Sequence, residues 1–213
     1  MLLVSLAIVL VPAVLGANIC CTPRQWEGVE AQVIGTVKNG GTPLISETEI
    51  NVHFDAPNKR LAFDEKVTAN GYTVNVKVIQ LWDKMTEYVI QQTGTCTRKH
   101  LTGPFPGGCI PDTATLMGSH FEGSVKNKVT YNSYRIVNTA QGVTAIVDMT
   151  SDTCEPIRQE TYGKTGNDYY LISNRYYDIS GGIKNATVFN VPPACNNAPF
   201  VGSPTGHAGS FFG

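Results

Sequence analysis

Nowhere does this sequence sustain apolar residues at the ~3.6-residue spacing of an amphipathic helix, which excludes helical bundles and doubly wound α/β folds. Neither sign of charge dominates: 16 Lys and Arg face 17 Asp and Glu, a formal net charge of -1. Charges so evenly scattered leave no electrostatic footprint for nucleic acid and no polybasic segment for an anionic membrane surface. Beyond the first 16 residues, no apolar run approaches the ~20 residues that a membrane-spanning helix needs. Catalytic signatures are missing as well. The four histidines, His53, His100, His120 and His207, share no spacing that implies a common site. The run Gly118-Ser119-His120 lacks the G-x-S-x-G pattern of a nucleophile elbow. GPFPGG at 103–108 puts prolines where backbone N–H groups would have to cradle a phosphate. The chain therefore reads as a non-enzyme with no cofactor site. Carboxylates are few and form no EF-hand loop. Asp64 with Glu65, Asp148, and the run Ser151 to Thr153 offer oxygens to a surface calcium, but ordinary solvated strand ends are the better explanation of them.

What is present begins with MLLVSLAIVLVPAVLG, uncharged and ending in small residues, the pattern of a secretory signal peptide. It divides the chain into a leader at 1–16, one β domain at 17–195 and a flexible, turn-rich tail at 196–213. All six cysteines, Cys20, Cys21, Cys96, Cys109, Cys154 and Cys195, follow the leader. An even number in a chain bound for an oxidising compartment favours disulfides, although spacing alone leaves the pairing open. The sequon Asn185-Ala-Thr marks a surface position for an N-linked glycan.

Period-two alternation recurs along the domain. Trp26 opens a run that ends near Val37; Ile50, Val52 and Phe54 alternate with polar residues; a turn at APNK leads back into RLAFDEKV. Tyr72, Val74, Val76 and Val78 share one phase, while Ile79 and Leu81 take the other, which requires a bulge or two covered faces. Tyr88 lies in the next strand. The segment from Thr102 to Ser119 reads as a long loop pinned by Cys109. Tyr131, then Val143, Ala145 and Val147, belong to another hairpin; Tyr176 lies in a last, Tyr-rich one; GGIKNATVF suits one short helical turn. Successive strands of this kind predict an antiparallel all-β domain, a sandwich or an open barrel. Tyr72, Val74, Val76, Val78, Tyr88, Tyr131, Val143, Ala145, Val147 and Tyr176 are candidates to line a ligand cavity between curved sheets, and plain core packing accounts for the same residues.

Five separated blocks add a resemblance. CxxPxQWEG at Cys20 to Gly28, NKRLAFDE at Asn58 to Glu65, the cysteine at Cys96, CEPIRQETY from Cys154, and RYYDISGGIKNATVFNVPPAC at Arg175 to Cys195 together resemble the ependymin-related proteins. The resemblance implies two stacked antiparallel sheets curved into a half-open barrel with a hydrophobic pocket, similar to bacterial lipoprotein carriers. It implies a secreted or lysosomal glycoprotein that binds a lipid or other hydrophobic molecule, associates with calcium and forms homodimers; the alternative is an adhesion or matrix protein acting through its surface and calcium. It also implies the pairs Cys20 with Cys154 and Cys96 with Cys195. Cys21 is left with Cys109, a departure from the family's vertebrate pattern.

Overall fold

The structure, a computed structural model, describes residues 20–38, 41–139 and 141–202. The expected leader at 1–16 and the tail after residue 202 lie outside the described residues. Eleven strands follow one another: β1 (Gln25–Lys38), β2 (Leu44–Asp55), β3 (Arg60–Ala69), β4 (Tyr72–Leu81), β5 (Thr86–Gln91), β6 (Cys96–His100), β7 (Thr115–Gly123), β8 (Lys128–Asn138), β9 (Val143–Thr150), β10 (Pro156–Thr165) and β11 (Asp168–Gly181). Tight turns connect most neighbours. Between β3 and β4 the loop is Asn70-Gly71, both at positive φ (51° and 79°), the backbone that a two-residue hairpin requires.

All eleven strands belong to one antiparallel sheet in the order β6-β5-β4-β3-β2-β1-β11-β10-β9-β8-β7. The all-β antiparallel expectation is met, and the sheet is open. What the resemblance casts as two stacked sheets are here two arms of one sheet, β1 to β6 and β7 to β11. They are hydrogen-bonded to each other through the long β1–β11 pairing, from Trp26 opposite Gly181 to Lys38 opposite Asp168.

Register sorts side chains onto two faces. The inner face carries Trp26, Phe54, Leu61, Val52, Phe63, Val78, Ile50 and Tyr176, a buried cluster with Trp26 stacked 5.9 Å from Phe54 and edge-on to Tyr176. The outer face carries His53, Ala62, Ile79 and Tyr88 across the same strands. No register shift interrupts β4, so Val78 and Gln80 are buried inward while Ile79 and Leu81 are buried outward. Two covered faces, not a bulge, explain the clash of phases in that strand.

Two irregular segments supply the covers. Strands β6 and β7 are neighbours in sequence but sit at opposite edges, so residues 101–114 must cross the sheet. They do so over the inner face. Phe105 packs 5.5 Å from Phe54 and edge-on to Trp82, Cys109 is bonded to Cys21, and Ile110 packs with Val147 and Met149. On the outer face, the 3₁₀ turn Ala186–Phe189 places Phe189 against His53, with the Arg60 guanidinium 4.1 Å over its ring.

Two expectations are corrected here. The loop expected through Ser119 ends at residue 114, because Thr115–Gly123 forms β7. That strand is an edge paired only with β8 and is exposed along nearly all its length, so no buried face imposes alternation on its sequence. The tail is also not free from residue 196. Arg98 N–H donates to the Pro199 carbonyl, Val201 N–H donates to the Arg98 carbonyl, and Phe200 stacks 4.1 Å from His100. This short stretch caps the outer edge of β6, although no alternation in its residues suggests a strand.

The disulfides are Cys20–Cys154, Cys21–Cys109 and Cys96–Cys195. The first and last are the pairs that the resemblance implies, and the second joins the two cysteines left over. Each closes a loop long enough that cross-linking the unfolded chain stabilises the fold by ~2–5 kcal/mol. Replacing Cys20 and Cys154 by Ser is expected to lower unfolding free energy by about that amount in a denaturant titration. Phe54→Ala should cost ~3–5 kcal/mol, whereas Leu116→Ala on exposed β7 should stay within ~0.5 kcal/mol.

Candidate functional site

The inner face is layered. Beside the aromatic cluster lies a row made of Tyr176, Glu30, Ile50, Glu65 and Val76, opposite one another across β11, β1, β2, β3 and β4. Next comes Val147, Gln159, Asn174, Gln32, Thr48 and Val67, and then Ala145, Thr161, Ile172, Ile34 and Ser46. The last rows open to solvent. A cavity of about 390 Å³ is lined by Ile34, Thr36, Lys38, Tyr170 and Ile172 among others. A second, of about 590 Å³, lies at the β4–β5 end against Val74, Val76, Gln91 and Thr93.

Of the ten predicted lining residues, register puts eight on this face: Tyr72, Val74, Val76, Val78, Val143, Ala145, Val147 and Tyr176. They do not converge on one site. Val76, Val78 and Tyr176 join the Trp26 cluster, Ala145 and Val147 join a second cluster with Met149 and Ile110, and Tyr72 and Val74 are 79% and 50% exposed. Tyr88 and Tyr131 lie on the outer face. Tyr88 pairs with Ile79 and packs near the Cys96–Cys195 bridge; Tyr131 pairs with Thr150. Alternation within a strand gives its phase, but only the register tells which phase faces inward.

Sequence reasoning missed the polar groups in the middle of this face. Glu30 is 1% exposed, Gln32 6% and Asn174 0%. A signal was present: Glu30 and Gln32 fall in phase with Trp26, whose size demands burial. Burial, and then the charge of Glu65, push the Glu30 carboxyl up to about 8, against a smaller opposing effect from the Gln32 side chain. Burial, and then the charge of Glu87, raise Glu65 to about 7. The Gln80 amide donates to Glu87 Oε2 at 2.9 Å.

The outer face holds conventional ion pairs. His53 contacts Glu27 at 2.9 Å and Asp64 at 3.8 Å; burial pulls its pKa down, and the two carboxylates together outweigh that and raise it. The His53 contact is the main cause of a lowered Asp64 pKa, with Lys77 adding to it against burial. Asp55 accepts from Gln25, Asn58 and Arg60, and these bonds lower its pKa despite the opposing effect of burial. Two of the oxygen donors expected for calcium are already engaged. Asp148 is buried against Arg158 and Ser133, Asp64 is engaged by Lys77, and no group of three or more His, Cys, Asp or Glu among the described residues is arranged to hold a metal ion.

These shifts have one sign near neutrality. Glu30 and Glu65 keep their protons in the fold over a range where the unfolded chain loses them, so stability falls from about pH 4.5 up to about pH 7 and 8. The raised His53 pKa adds stability that is complete below 6.5 and lost above it, whereas the lowered Asp55 and Asp64 lose theirs only as pH falls through the acid range. A thermal melt is expected to show a midpoint higher at pH 5 than at pH 8.5 by about 5 °C or more. Glu30→Gln should remove much of that slope; an unchanged slope in the variant would contradict the assignment.

The profile of the Ependymin family matches residues 70–195. Ependymin-related protein 1 of Haliotis asinina is 27% identical over 193 residues, covering 86% of this chain and 93% of that protein. Mammalian ependymin-related protein 1 of Rattus norvegicus is 26% identical over 182 residues, covering 84% of this chain and 77% of that protein. Among solved structures, an uncharacterized conserved protein from Thermus thermophilus aligns with a TM-score of 0.48 and 8% identity, over 82% of this chain and 89% of its own. A LolA superfamily protein from Nitrosomonas europaea aligns with a TM-score of 0.36 and 10% identity, over 81% and 93%. The family match spans more than half of the sequence and includes the last hairpin and the four cysteines Cys96, Cys109, Cys154 and Cys195; the chain belongs to the Ependymin family.

Proposed function

We propose that the protein is a secreted glycoprotein that carries a lipid or other hydrophobic ligand on the inner face of its sheet, and that it is not an enzyme. The observation behind this reading is the pair of cavities, about 590 and 390 Å³, whose apolar linings, Val74 and Val76 in one and Ile34 and Ile172 in the other, belong to that single face. Burying about ten methylenes there would contribute ~8 kcal/mol, sufficient for roughly micromolar affinity before ordering costs. Three long-range disulfides suit an oxidising compartment. Asn185 is exposed and accepts hydrogen bonds from Thr187 N and Oγ1, which leaves the sequon accessible on the surface.

Solvent extraction of the purified protein followed by mass spectrometry is expected to recover lipid, and a fluorescent acyl probe should bind. Val74→Glu, a change at an exposed position, should weaken the probe about tenfold with the melting curve unchanged. Recovery of no lipid together with no probe binding would refute the reading.

The outer face favours self-association alongside this role. Ile45, Leu171, Tyr162 and Val137 are all exposed and fall in one row across β2, β11, β10 and β8, with Gly35 and Thr144 between them. Such a row suits a two-fold contact between copies. Light scattering should give the mass of a dimer for the wild type and of a monomer for Leu171→Arg; a monomeric wild type would exclude it.

A further inference from the structure

The inner face is not uniformly apolar. Asn174 is fully buried, yet neither its Nδ2 donor nor its Oδ1 acceptor has a hydrogen-bond partner. Glu30, equally buried, leaves Oε1 without one. Gln32 stands directly opposite Asn174 and two residues from Glu30 on the same face; its amide leans toward the Glu30 carboxyl, but its Nε2 completes no hydrogen bond. Leaving several buried donors and acceptors unpaired at one spot costs ~1–3 kcal/mol each, and natural folds rarely tolerate it without a use. Around the spot, Ile50, Val147 and Ile172 offer apolar contact, while Gln159, opposite Asn174, donates its amide to Thr161, and Thr48 stands opposite Gln32. Ile172 and Ile34 lie one step along the same face and line the 390 Å³ cavity, so Asn174 and Gln32 stand in the row next to its lining, behind these two isoleucines.

Resting on the reading that this face holds an amphiphile, we infer that Asn174, Glu30 and Gln32 form a polar socket for an uncharged head that both donates and accepts hydrogen bonds, a carboxamide or hydroxyl, with the apolar chain running toward Ile34 and Ile172. The socket supplies the acceptor Asn174 Oδ1 and the donors Asn174 Nδ2 and Gln32 Nε2. With a pKa of about 8, Glu30 is mostly protonated at neutral pH and adds a donor without adding charge. An ionised carboxylate or a phosphate finds no counter-ion, because the three rows around the socket contain no Lys or Arg. Lys38, at the mouth of the cavity, is six residues along β1 from Gln32, roughly 20 Å away, and faces Asp168. An ammonium head is disfavoured by the same arithmetic at Glu30, whose carboxyl must first surrender its proton in a buried setting.

The test uses ligands that share one lauryl chain and differ only in head: lauramide, lauryl alcohol, laurate and laurylamine, each displacing a bound fluorescent acyl probe from the full-length protein at pH 7. Lauramide and lauryl alcohol are expected to bind at least about tenfold more tightly than laurate and laurylamine. In Asn174→Leu that preference should disappear while the probe still binds. Because the substitution removes two unpaired buried groups, the ligand-free variant should also melt higher, by about 3 °C or more. Equal affinity for all four heads, or tightest binding of laurate or laurylamine, overturns the socket and leaves the hydrophobic-carrier reading standing. A lower melting temperature for Asn174→Leu overturns it as well, since the amide would then be a structural partner. Glu30→Gln keeps an uncharged head group in the same space, so it should retain the preference for lauramide; its loss there would count against the socket. If no lauryl compound displaces the probe and the probe itself does not bind, the carrier reading fails together with the socket.

Discussion

The pairing of β1 with β11 is the contact on which the architecture depends. It joins the first described strand to the last, in the middle of the sheet, and both strands are fourteen residues long. Without it the chain would be two separate meanders, each with a bare edge; with it they become one surface with a continuous inner face. The ladder is also where the polar socket sits, because Gln32 and Asn174 are direct partners within it. One interaction thus sets the fold and brings together side chains that lie more than a hundred residues apart in sequence.

Much of the fold is legible in the sequence, and for identifiable reasons. Strands with one buried and one solvated face, such as β2 with Ile50, Val52 and Phe54, announce themselves by alternation. Strand β7 does not, since an edge exposed on both faces places no demand on residue type. The disulfides are legible only through the resemblance, because spacing carries no pairing information. The candidate lining fails in two places, Tyr88 and Tyr131, where the phase within a strand is clear and the sheet register is not. The polar socket is hidden because Glu30 and Gln32 look like solvent-facing residues until Trp26 is used to fix which phase of β1 is inside.

Burying these groups has a cost that shapes the whole molecule. Carboxyls at Glu30 and Glu65 that resist ionisation, and an asparagine with no partners, reduce stability relative to an apolar interior. The aromatic cluster around Trp26 and the three cross-links offset that loss. Stability is concentrated at one end of the inner face and forfeited toward the other, the usual division between a scaffold and the site it supports.

The crossing of residues 101–114 has a mechanical meaning. Because the segment leaves one edge of the sheet and arrives at the other, and is clipped midway by Cys21–Cys109 and by backbone hydrogen bonds from Thr22 to Gly108 and from Ile110 to Cys20, it acts as a strap of fixed length across an open trough. The two rims cannot spread farther apart than the strap permits. A single peptide-bond cleavage in its exposed part, at 102–104, would leave every strand pair intact and remove the strap, so that the β6 rim would be restrained only by the Cys96–Cys195 bridge and the contacts of residues 199–201 with β6.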